Sequence, residues 1–109
     1  MSFDSLKLPS PLLQALRLLE YREPSAIQLQ AIPIILNGQD LLAGAQTGTG
    51  KTAAFALPLL AQLLKQKATS QDTAKVLILT PTRELTQQVY KNIQQYAQCT
   101  DITTVQVYG

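Results

Sequence analysis

Asp40-Leu41-Leu42-Ala43-Gly44, then Ala45-Gln46-Thr47-Gly48-Thr49-Gly50-Lys51-Thr52, then the apolar run 53–64: this stretch decides the fold. Its first part is short, apolar and bounded by turn residues, so 41–44 reads as a buried strand. Its last part, from Lys51 to about Lys65, is apolar nearly all round and reads as a largely buried helix. Between them lies a loop of small residues. It departs from G-x-x-x-x-G-K-[ST] only at the first position, where Ala45 stands for Gly. Between a strand and a helix, such a loop turns successive backbone N–H groups inward around a phosphate at the positive end of the helix. Gly48 and Gly50 let the backbone approach closely where a Cβ would collide. Lys51 then reaches the β- and γ-phosphates, and the Thr52 hydroxyl is placed to ligate Mg²⁺. The plainer alternative is a Gly-rich helix start with no ligand, and Gly-x-Gly-Lys-Thr in this context argues against it. Residues 48–53 also fit the dinucleotide pattern G-x-G-x-x-[GA], which needs an acidic residue near the end of the second strand. Asp72 has about that spacing but lies in a polar connector, and the strand closes on Thr80-Pro81, so that reading is rejected.

Outward from this centre the segments alternate in type. After the polar connector 66–73, residues 76–79 (Val-Leu-Ile-Leu) read as a central parallel strand. Thr82 or its neighbour caps a helix through about Ala97, with Leu85, Val89, Ile93 and Tyr96 on one face. Residues 103–107 read as a third strand. On the amino-terminal side, Ser25 caps a helix from Ala26 whose apolar face holds Ile27, Ala31, Ile34 and Ile35. Pro33 should break or kink it, and Asn37-Gly38 suits a left-handed end. Ser10-Pro11 opens a helix over 11–20, with Ser10 as N-cap and Leu12, Leu13, Leu16 and Leu19 on one face. The order predicts an α/β fold, a parallel sheet flanked by helices with right-handed crossovers. It divides into a helical segment, 1–38, and a phosphate-loop segment, 39–109.

Composition narrows the chemistry. At 109 residues the chain is one domain at most, and with 46% hydrophobic and 15% charged residues it can bury a core. No apolar run reaches the roughly 18 residues of a membrane span. The opening Met1-Ser2-Phe3-Asp4 is not that of a secretory signal, so a cytoplasmic protein with no membrane partner is expected. Cys99 is the sole cysteine and there is no histidine, which excludes an intrachain disulfide, an ordinary zinc site and any Ser-His-Asp or Cys-His mechanism. A net charge of +2 is too weak to argue nucleic-acid binding by itself.

Three further stretches carry a resemblance. Tyr21-Arg22-Glu23-Pro24-Ser25-Ala26-Ile27-Gln28 looks like the Q motif of DEAD-box ATP-dependent RNA helicases. Residues 45–52 match that family's motif I, where Ala at the first position is usual. Pro81-Thr82-Arg83-Glu84-Leu85 matches its motif Ia, and Phe3 stands at the spacing of the isolated upstream aromatic. Residues 1–6 and 21–24 look most like bacterial members. Two positions depart: Glu20 stands where Gly is usual, and Thr86 where Ala is usual. The resemblance implies a RecA-like parallel sheet, incomplete in this chain, and a site for ATP and Mg²⁺. Phe3, Tyr21, Ser25 and Gln28 would serve the adenine side, and Ala45, Gln46, Thr47, Gly48, Thr49, Gly50, Lys51 and Thr52 the phosphates. Gln28 would read adenine N6 and N7 through its amide, as Gln reads adenine in DNA, with Tyr21 packed against the base. On composition alone Gln28 would be one more solvent-facing glutamine among fourteen. Pro81, Thr82, Arg83 and Gly109 would touch the RNA sugar-phosphate backbone, which carries no base sequence information.

The resemblance further implies that the pattern continues past Gly109 with the acidic Mg²⁺ partner, and with a second RecA-like domain as partner in unwinding. No Asp-Glu pair occurs in the 109 residues. Two other readings stay beside the helicase: a nucleotide-binding module without turnover, and another phosphate-loop enzyme such as a small-molecule kinase. Residues 21–28 and 81–85 speak against the kinase.

Overall fold

Leu57 is wholly buried, and the helix that carries it, α3 (Lys51–Lys65), is the element the other helices surround. The computed structural model describes residues 2–41, 50–65 and 76–107. Ala45 to Thr49 of the expected phosphate loop, the connector 66–73 and Gly109 lie outside the described residues. As its composition predicts, α3 is buried on nearly every side, through Ala53, Ala54, Ala56, Leu57, Pro58, Leu60 and Ala61. Its four small alanines let neighbouring backbones approach. A second helix, α2 (Ala26–Leu36), packs on it most extensively, while α1 (Ser10–Leu18) and α4 (Arg83–Tyr96) cover its other sides. Gln62 fastens the α2–α3 pair by donating from Nε2 to the Ile35 carbonyl, 2.8 Å away. A 3₁₀ turn over Phe3–Leu6 closes the core with Phe3 and Leu6. Burying Leu12, Leu16, Ile32 and Leu57 contributes about 1.5–3 kcal/mol apiece.

The helix ends correct the sequence reading in detail. At α1 the N-cap is Pro9, not Ser10, and Ser10 and Pro11 form the first turn, where a missing N–H costs no helical hydrogen bond. The α1 terminus has Leu19 as cap, with Glu20 at φ 63°. Glu20 N donates to the Arg17 carbonyl (3.0 Å) and Tyr21 N to that of Leu16 (2.9 Å), the paired bonds of a Schellman motif. The left-handed residue there is a glutamate, at the position where glycine is usual. Gly38 does the same for α2 at φ 75°, as Asn37-Gly38 predicts. Pro33 does not break α2, which runs unbroken to Leu36. It is exposed, only the Leu29 carbonyl loses its donor, and packing on α3 carries the helix past it. The inward face of α2 is Gln28, Ala31 and Ile32, with Ile27, Ile34 and Ile35 half-buried. Since almost every residue of α2 is apolar, periodicity could not choose its face.

The expected strands are the larger difference. Among the described residues no strand forms: 76–80 and 101–107 carry no sheet pairing, and neither does Leu41. Ile78 and Ile102 pack against the helical core, while Leu77 and Leu79 are 81% and 84% exposed. Val105 and Val107, at 78% and 84%, are exposed as well. A continuous β-branched run signals burial on both faces, but a strand exists only where a neighbour completes its hydrogen-bond ladder. Here helices cover one side of these segments and no ladder forms beside them.

Candidate functional site

Two helix starts meet at the site. Gly50, just before α3, has φ 85°, and its carbonyl accepts from Ala54 N at 3.1 Å and from Gln28 Nε2 at 3.2 Å. A Cβ at Gly50 would run into the Gln28 amide nitrogen and lie 3.2 Å from Ser25 Oγ. Left-handed backbone and close approach thus both demand glycine there. Lys51 is exposed and Thr52 half-buried in the first turn of α3, at the helix end whose N–H groups lack intrahelical partners and favour anions.

The second start is that of α2, where Ser25 is the N-cap the sequence predicts and forms a capping box with Gln28. Ser25 N donates to Gln28 Oε1 at 2.9 Å, and Gln28 N to Ser25 Oγ at a long 3.5 Å. Gln28 is therefore not solvent-facing. At 5% exposure it is the buried polar side chain of the described core, and it bridges the two helix starts. A primary amide has two N–H donors and two acceptor lone pairs. Among the described residues Gln28 commits one of each, to Ser25 and Gly50, and one donor and one acceptor remain.

The aromatic side of the site gathers Phe3, Tyr21 and Tyr96. Phe3 is buried, its ring centroid 6.5 Å from that of half-exposed Tyr21. Tyr21 in turn meets Tyr96, the last residue of α4, at 6.0 Å and 67°. The two phenol oxygens are 3.5 Å apart. Burial, then the hydrogen bond and charge of Tyr21, push the Tyr96 phenol well above the usual tyrosine range. Phe3 and Tyr21 line an open cleft of about 480 Å³ with Leu13, Leu16, Arg17 and Arg22. Gln28 is not among its lining residues, so the structure joins Phe3 to Tyr21 and Gln28 to Gly50 as two separate pairs.

The third group lies at the start of α4. Thr82 caps the helix as predicted, its Oγ1 accepting from Leu85 N at 3.1 Å. That leaves its hydroxyl proton to donate. Pro81 and Arg83 flank it, both exposed. Thr80 and Thr86 brace this corner: both hydroxyls lie within reach of the Thr82 carbonyl, at 3.3 and 3.1 Å, and of each other, so one donates to the carbonyl and the other to its fellow hydroxyl. Sequence reasoning missed Thr80 and gave Thr86 no role, and it placed Tyr96 only as a core-facing position. Hydroxyl spacing around 82 was the available signal for the threonines; nothing local in the sequence pairs Tyr96 with Tyr21.

A family model described as DEAD/DEAH box helicase matches residues 25–109. Among similar proteins is the ATP-dependent RNA helicase DBP9 of Gibberella zeae, 49% identical over 97% of this chain and 18% of its own length. DEAD-box ATP-dependent RNA helicase 28 of Arabidopsis thaliana is 50% identical over 99% of the chain and 14% of its own. The chain thus spans less than a fifth of the length of these relatives. Both are eukaryotic and lend no support to the expected likeness to bacterial members. The RNA helicase Prp28 from Chaetomium thermophilum, solved bound to ADP, is similar with a TM-score of 0.89 at 41% identity, over 99% of this chain and 26% of that one. Dbp5 of S. cerevisiae, solved bound to RNA and ADP BeF3, has a TM-score of 0.81 at 36% identity, over 94% and 26%.

Proposed function

Because the chain belongs to the DEAD/DEAH box helicase family, we propose that it is the nucleotide-binding part of an ATP-dependent RNA helicase, working in the cytoplasm. One observation carries the reading: the Gln28 amide bonds the Gly50 carbonyl, tying the Q-motif-like turn to the start of the phosphate-binding helix. Lys51 would compensate phosphate charge at the positive end of α3, with Ala45 to Gly50 wrapping the phosphates by their backbone N–H groups. Half-buried Thr52 would offer its hydroxyl to Mg²⁺, which would supply neutralisation of phosphate charge. Tyr21 would stack on adenine beside Phe3, and the second donor and acceptor of the Gln28 amide would match adenine N7 and N6. Pro81, Thr82 and Arg83, with Gly109, would hold the RNA backbone, the braced corner at 80–86 presenting hydroxyl and guanidinium together. The ADP and RNA in the similar Prp28 and Dbp5 structures support both ligands. In this reading 76–79 and 103–107 belong to a RecA-like parallel sheet, and a second such domain closes on the site.

A second reading applies to residues 1–109 by themselves. They contain no Asp-Glu pair to supply an acidic metal partner, so by themselves they bind nucleotide without turnover. The test common to both is calorimetric titration of ATP into the chain and into Lys51→Ala. Binding that falls at least tenfold on losing Lys51 is expected; undiminished binding refutes the phosphate-loop reading.

A further inference from the structure

We propose that Tyr96 is a positioning residue for base recognition: it holds the Tyr21 ring in the orientation that receives adenine. This rests on the adenine role proposed above for Tyr21. Tyr21 stands on the turn between α1 and α2, directly after the left-handed Glu20, and is 39% exposed. A ring so placed has two free torsions unless something holds it. Phe3 sits at one side of it, tilted by 33°. Tyr96 meets it edge-on at 67°, the T-shaped geometry that aromatic pairs favour, and adds a hydroxyl contact at 3.5 Å. Tyr96 is itself immobilised, being 3% exposed among the residues of the core and seated on the last turn of α4. The Tyr21 ring is thereby clamped from a helix 75 residues away in sequence. An aromatic group held in its bound orientation gives up less side-chain entropy when a base stacks on it, so the clamp raises affinity for the base and not for the phosphates.

The test compares ATP with inorganic tripolyphosphate, which shares the phosphate chain and lacks the base. Both are titrated into the chain and into Tyr96→Phe, Tyr96→Leu, Tyr21→Leu and the Tyr21→Leu/Tyr96→Leu double variant. Tyr96→Leu is expected to weaken ATP about 2- to 10-fold, the range of a lost aromatic pair, and to leave tripolyphosphate unchanged. Tyr96→Phe, which keeps the ring edge and loses the hydroxyl, should weaken ATP less. Once Tyr21 is gone, removing Tyr96 should cost ATP nothing more. Equal loss for both ligands, additive losses, or an ATP affinity indifferent to Tyr96 overturns the proposal. Circular dichroism guards against misfolding of Tyr96→Leu, and if it unfolds, Tyr96→Phe decides by the same ratio. A wild-type chain that binds ATP no better than tripolyphosphate refutes the adenine role of Tyr21, and the clamp with it. If ATP is preferred and Tyr96 is silent, the clamp alone fails.

Discussion

Replacing Gln28 by alanine should destabilise the chain far more than a surface glutamine would. Two hydrogen bonds vanish, from Ser25 N at 2.9 Å and to the Gly50 carbonyl at 3.2 Å. The Gly50 carbonyl keeps Ala54 N as a donor, so its loss is the ordinary net value of one bond, about 1 kcal/mol. The Ser25 N–H loses its capping acceptor in a half-buried setting, which costs about 1–2 kcal/mol. The sum is about 2–3 kcal/mol, or a fall in Tm of roughly 8–20 °C at this chain length. Ser25→Ala removes only the 3.5 Å arm of the box and should cost under about 1 kcal/mol. Gln28→Glu keeps an acceptor for Ser25 N but sets a carboxylate oxygen against the Gly50 carbonyl, so it should not rescue. Urea unfolding followed by far-ultraviolet dichroism and extrapolated linearly gives all three values. A Gln28→Ala change within about 0.5 kcal/mol of wild type, or one smaller than that of Ser25→Ala, would show that the amide bridges nothing of consequence.

Three further outcomes are expected. Glu20→Gly should raise stability by about 0.5–1 kcal/mol, because glycine relieves the φ 63° strain at the end of α1 by more than it adds to unfolded-chain entropy; a loss in urea unfolding refutes this. The folded state keeps the Tyr96 phenol protonated where the unfolded phenol ionises, near pH 10, so stability is constant in this group below that pH and falls above it by up to about 1.4 kcal/mol per unit. Tyr96→Phe should flatten that alkaline limb, and an unchanged slope in unfolding against pH disproves it. Arg83→Ala should weaken RNA binding about equally across unrelated sequences in filter-binding titrations, whereas a loss confined to one sequence means base readout.

How much of this was legible in the sequence depends on the range of the contact involved. The Ser25 and Thr82 caps, the Asn37-Gly38 end and the buried α3 are local, and each follows from a few neighbouring residues. Ser10 failed as a cap because Pro9-Ser10-Pro11 allows two registers that differ by one residue, and local chemistry does not choose between them. The inward face of α2 was illegible because its residues are nearly all apolar. The runs 76–79 and 103–107 have strand sequences, yet pairing is a property of two segments. Gln28 shows the limit most clearly. Its capping role is written three residues away at Ser25, but its bond to Gly50 spans 22 residues and no periodicity announces it. The Tyr21–Tyr96 pair is longer still.

Pro33 and Pro58 each sit in the interior of a helix, and those two helices are the pair in most extensive contact. Each proline removes one ladder bond, to the carbonyls of Leu29 and Ala54, and costs an isolated helix about 3 kcal/mol. Neither α2 nor α3 can persist as a lone helix against that deficit, so a peptide of either should be coil in water. Their docking must supply what local propensity lacks, through Ile32, Leu57 and the residues around them. In folding, α2 and α3 are therefore expected to form together or not at all. In native-state amide exchange they should open as one cooperative unit, with the amides of both helices released at a common free energy.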